Sequence, residues 1–112
     1  KLAFEQRTQD FAVLAIRFVA SLKTNAVNPV LGKQLWRCAT SIGANYREAN
    51  RAESRADFIH KIGIVEKEAS ETIYWLKIFL KSNPEANHED RMLRQCVSRQ
   101  RRFVSSVLKL SH

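Results

Sequence analysis

At 112 residues the chain is long enough for one domain with a single modest core. Three Gly and two Pro leave little room for turns, which argues against an all-β fold of many short strands. With 45% of residues hydrophobic, 27% charged and a formal net charge of +8, a globular chain with a polyanionic partner is favoured, either nucleic acid or an anionic membrane surface.

Four helical segments are predicted in order. The first runs from Glu5 to Lys23 and carries Phe4, Phe11, Leu14, Phe18 and Leu22 on one face. In "TNAVNP", Asn28 is a natural N-cap with Pro29 at the first helical position, so a second helix is expected from Pro29 to Arg51. Its core line is Leu31, Leu35, Cys38, Ile42 and Ala49, with Asn45 in the same line. "AESRAD" breaks the pattern, and Ser54 followed three residues later by Asp57 has the form of a capping box. The third helix is expected over Arg55 to Lys81, with Phe58, Ile62, Val65, Ala69, Ile73, Leu76 and Leu80 in register. Pro84 in "SNPEAN" cannot continue it. A fourth is expected over His88 to Leu110, along Leu93, Cys96, Val97, Phe103, Val104, Val107 and Leu110. Short connections between helices of similar length make antiparallel neighbours. The expected fold is all-α, an antiparallel up-down-up-down four-helix bundle forming one domain over residues 1–112.

Some apolar residues exceed what one bundle needs. Val13, Ile16 and Val19 point away from the Phe11/Phe18 face, Trp36 lies opposite the Leu35/Ile42 stripe, and Tyr74 and Ile78 sit off the main line of the third helix. Together they mark a self-association surface. Cys38 and Cys96 fall on apolar lines and read as small core residues, since no CxxC or Cys/His array accompanies them. No apolar run approaches a membrane span and no secretory leader is visible, so the expected compartment is the cytoplasm.

Catalytic chemistry finds no foothold. Asp57/His60 and Glu85/His88 have the carboxylate-x-x-histidine spacing of di-metal bundles, but antiparallel helices place them at opposite ends, roughly 40 Å apart at 1.5 Å per residue. No glycine-rich phosphate loop or GxSxG elbow is present. A non-enzymatic protein without metal or cofactor is expected.

Charge and polarity say more. Between Arg91 and His112 stand Arg91, Arg94, Arg99, Arg101, Arg102 and Lys109, with no Asp or Glu. The fourth helix is therefore a cationic rod, and Arg47, Arg51 and Arg55 form a second basic series. Uniform sign over such lengths suits phosphate binding by counterion release, although a solvated face would also carry charge. In "SIGANYREAN", Ser41, Asn45 and Glu48 follow one strip of the second helix, with Arg37 a turn earlier. Such a strip beside a core must satisfy its hydrogen bonds, and Lys67, Ser70, Glu71 and Trp75 of the third helix are the expected partners. A core-line Asn can also fix register and association state.

The stretch from Leu35 to Ile78 resembles the hallmark region of a family of small bacterial four-helix bundle proteins. They are encoded in intervening sequences of 23S ribosomal RNA genes, and the accessory variability proteins of diversity-generating retroelements are related to them. The shared pattern combines Arg37, Ser41, Ile42, Asn45 and Glu48 with Ser54, Asp57, Phe58 and Ile59. It closes on Glu68, Ala69, Glu71, Thr72, Tyr74, Trp75 and Leu76. The first and fourth helices match by pattern only, and Glu48-Ala49 stands where many relatives have Glu-Gly. The resemblance implies an antiparallel bundle assembled as a homopentameric ring. For the retroelement branch it implies a basic surface that binds nucleic acid and a reverse transcriptase. The function expected is thus an oligomeric, basic accessory protein that binds RNA or DNA through phosphates. The alternative is a structural assembly module that binds a protein partner.

Overall fold

The computed structural model describes residues 2–22 and 27–82, together with Ser98 and Arg102. Three helices, α1 (Leu2–Ala20), α2 (Asn28–Asn50) and α3 (Arg55–Ser82), make up the described chain, with no strand among the described residues. The fourth helix expected over 88–110 lies outside the described residues apart from Ser98 and Arg102, both of which are helical.

Local chemistry explains the boundaries. After Ala20 the amides of Ser21 and Leu22 donate to Phe18 and Val19 carbonyls at 3.1 and 3.2 Å, a tightened last turn. At the start of α2 the expected Asn28 cap is displaced by one residue. Val27 holds the cap position without a side-chain cap bond, and its carbonyl accepts the amides of Val30 and Leu31 at 3.0 and 3.1 Å. Pro29 then falls within the first turn, where its missing N–H costs no intrahelical bond. Ser54 caps α3 as expected, its Oγ accepting the Asp57 amide at 3.0 Å. Only that half of the capping box forms, because the Asp side chain is one methylene shorter than the Glu that reaches back.

α2 is the central element, packed against α1 on one side and α3 on the other. Both contacts are antiparallel. Gly43 faces Thr8 while Gly32 faces Val19, and Glu48 meets Lys61 while Arg37 meets Glu71. The interior has two clusters. One joins Phe11 and Ala15 of α1 to Ala39, Ile42, Tyr46 and Ala49 of α2 and Ile62, Val65 and Ala69 of α3. The other brings Phe18, Leu35, Leu76 and Phe79 together. In it Phe18 meets Phe79 edge to face at 5.7 Å between centroids, joining α1 directly to α3 beside Leu35 of α2.

Most of the predicted core positions among the described residues lie inside, with Asn45 half-buried in the line where it was expected; Leu80 and the fourth-helix line lie outside the described side chains. Thr8, Ala15, Ala39, Tyr46, Thr72 and Phe79 are buried as well, outside the apolar lines read from the sequence. The threonines satisfy their hydroxyls within their own helices, Thr8 on the Glu5 carbonyl at 2.7 Å and Thr72 on the Glu68 carbonyl at 2.8 Å.

Candidate nucleic-acid interface

Three of the described acidic side chains, Glu5, Glu48 and Glu71, bridge helix junctions. Glu5, near the start of α1, faces Arg47 at 3.5 Å and accepts from Asn50 at 2.9 Å, which pins α1 to the end of α2. Glu48 of α2 takes Lys61 of α3 at 3.1 Å. Glu71 of α3 lies 3.6 Å from Arg37 and accepts the Cys38 thiol at 3.3 Å.

The polar strip of α2 works differently from the expected cross-helix network. Ser41 donates to the Arg37 carbonyl at 2.7 Å, and Asn45 donates to the Ser41 carbonyl at 2.8 Å. Short side chains in a helix reach the carbonyl one turn back more easily than a neighbouring helix. Only Arg37 and Glu48 cross to α3, and of the expected partners there only Glu71 is engaged by them. Lys67 and Ser70 face outward, and Trp75 packs against the second core cluster.

Cys38 lies at the centre of this seam. It is fully buried, and its thiol is pushed up to about 12 by burial first and then by its hydrogen bond to Glu71; Arg37 opposes the shift, and the charges of Glu68 and Glu71 add to it. Its sulfur and carboxylate oxygens of Glu68 and Glu71 lie within 4.8 Å of one another, a donor set of the kind that can hold a cation. The guanidinium of Arg37 already supplies positive charge there. Buried oxygens of Glu68 (Oε2) and Glu66 (Oε1) have no hydrogen-bond partner.

The predicted site residues fall in three places. Arg47, Arg51 and Arg55 are exposed around the α2–α3 turn, Arg47 with its Glu5 contact and Arg51 just past the end of α2. Arg102 is exposed, and its guanidinium donates to Ser98 at 3.4 Å; Arg91, Arg94, Arg99 and Arg101 lie outside the described residues. Among the surplus apolar residues, Val13, Ile16, Trp36 and Tyr74 are exposed. Val19 is half-buried against the second core cluster and over Gly32, and Ile78 is also half-buried.

Lys77 and Lys81 escaped sequence reasoning as site residues, and Lys67 entered it only as a network partner. All three point outward on α3. Helical spacing rather than adjacency in the chain brings them to one face, so no basic run marks them. Between α1 and α2 an open cleft of about 560 Å³ is lined by Gln6, Gln9, Thr40 and Ala44 beside the Glu5–Arg47 pair. No described helix is long and apolar enough to cross a membrane.

A layered set of antiparallel helices tied by Glu–Arg and Glu–Lys pairs, in a chain of net charge +8, defines a basic helical scaffold. The chain belongs to the 23S rRNA-intervening sequence protein family, whose model matches residues 1–105. It is also similar to a crystal structure of a protein of unknown function from the S23 ribosomal protein family of Bacteroides thetaiotaomicron VPI-5482. The two share 29% identity and a TM-score of 0.80 over 96% of this chain and 97% of that one. No curated protein matches the chain.

Proposed function

We propose that this protein is a non-enzymatic, self-associating four-helix bundle, closed by a helix over about residues 88–110, that binds RNA or DNA through phosphate contacts. The carrying observation is how charge is distributed. The net charge is +8, while Glu5, Glu48 and Glu71 are drawn into pairs between helices, which leaves surplus cations facing water. The family's link to 23S rRNA intervening sequences is in keeping with an RNA partner. The contacting groups are Arg91, Arg94, Arg99, Arg101 and Arg102, with Arg47, Arg51 and Arg55 at the α2–α3 turn. A reverse transcriptase as protein partner is the finer reading, supported by the resemblance to the retroelement accessory proteins.

The test is fluorescence anisotropy with mixed-sequence RNA and DNA at low salt. Replacing Arg94, Arg101 and Arg102 together by Gln should weaken binding to all sequences without loss of helicity, because glutamine is a good helix former. Absence of binding by the parent protein would leave the assembly module as the reading.

A further inference from the structure

On α3 every acidic residue is half-buried, and every outward charged residue is positive or a histidine. At about 100° per residue, Arg55, Lys67, Lys77 and Lys81 fall within one arc of roughly 120°. They span about 39 Å along the helix at 1.5 Å per residue. None of the four has an ion-pair partner among the described residues. Glu66 falls inside the arc, between the directions of Arg55 and Lys77, but is half-buried with its Oε1 closed off from water.

Two other residues of the arc give it more than charge. Tyr74 is 56% exposed, and its ring is set by a T-shaped contact with Trp75 at 5.1 Å between centroids. Gly63, one turn before Lys67 in the arc, has nothing within 4 Å of where a Cβ would stand, so the helix backbone is open to close approach there. We propose that the outward face of α3 is a track for single-stranded nucleic acid, its cations following the phosphates and Tyr74 stacking an unpaired base.

Charge complementarity selects this occupant. A second copy presenting the same face would be repelled. A membrane-surface helix needs an apolar face to insert, and the apolar face of α3 (Ile62, Val65, Ala69, Leu76) is already in the core. Duplex offers phosphates but no unpaired base for Tyr74.

The inference rests on the nucleic-acid reading above, and one set of measurements separates the two. Salt-dependent affinity for a mixed-sequence single-stranded RNA is compared among the parent, a Lys67→Gln/Lys77→Gln/Lys81→Gln variant, Tyr74→Ala and Tyr74→Phe. Circular dichroism and light scattering confirm that fold and assembly are unchanged. The lysine variant should lose at least tenfold in affinity, and its salt slope should flatten by about 2, from three cations at about 0.7 each. Tyr74→Ala should lose roughly tenfold, while Tyr74→Phe, which keeps the ring face, should bind like the parent. Parent binding that survives the lysine changes would overturn the α3 track and leave the general reading standing. Equal affinity of Tyr74→Ala and parent, or tighter binding of duplex than single strand, would overturn the single-strand assignment. A parent that binds anionic phosphatidylserine vesicles but no RNA would overturn both.

Discussion

Glu5 and Glu48 each accept a partner across a helix boundary, yet their surroundings differ. The Glu5 side chain is 21% exposed and holds both Arg47 and Asn50, whereas that of Glu48 is 61% exposed and holds Lys61 alone. Glu5→Ala should therefore cost about 1–2 kcal/mol in urea unfolding, and Glu48→Ala no more than about 1 kcal/mol. Equal effects would show that the α1–α2 tie is no better formed than a surface pair. Cys38 gives a pH prediction. Burial and the Glu71 bond push its thiol up to about 12 from an ordinary 9.0, so between those values the unfolded chain loses the proton while the folded chain keeps it. Stability is fully present below about pH 9 and falls as pH rises toward 12, by at most about 1.4 kcal/mol per pH unit. Cys38→Ala should flatten that decline in thermal melts between pH 9 and 11. A decline of the same slope in the variant would place the thiol outside the linkage.

At the level of elements, the glycines test the packing. A Cβ on Gly43 would stand 2.8 Å from Thr8 Oγ1 and 3.2 Å from Thr8 Cβ, and Thr8 is buried with its hydroxyl bound to the Glu5 carbonyl. Gly43→Ala gains about 1 kcal/mol of helix propensity but forces α1 and α2 apart, at about 1–3 kcal/mol. It should lower the melting temperature, whereas Gly63→Ala, in open space, should raise it by the propensity gain alone. Opposite signs would contradict the α1–α2 approach. The helices themselves were legible because α1, α2 and α3 keep largely apolar lines at helical spacing and "AESRAD" carries its own cap. The first turn of α2 was not, because the Val27 carbonyl could close it one residue before the Asn28-Pro29 signal. The strip of Ser41 and Asn45 was legible as polar but not in its partners, since sequence spacing cannot tell a backward bond within a helix from a bond across to the next. Phe79 was missed because one core line was drawn through α3, while the structure has a second cluster there that needs a neighbouring position.

Across the whole molecule, two surfaces divide the exposed residues. In the antiparallel α1–α2 register, Ile16 falls beside Trp36, 46% and 41% exposed, with Val13 a turn away at 41%. This neutral apolar patch suits self-association, while Tyr74, placed with it by sequence, sits instead among the cations of α3. Light scattering at micromolar concentration should give a mass several times 12.9 kDa, reduced by Ile16→Gln/Trp36→Gln. A parent mass of 12.9 kDa would contradict self-association. Several copies on one long polyanion would raise apparent affinity without new contacts. The cationic surface was legible in the sequence only as a sum and as runs, because its α3 part is assembled by helical spacing and by the half-burial of the acids on that helix.

The most direct measurement of the central claim is a salt titration of the parent protein with mixed-sequence single-stranded RNA. The account predicts binding at low salt, with log K falling linearly against log salt at about −0.7 per phosphate neutralised. No binding at low salt, or an affinity indifferent to salt, would contradict it.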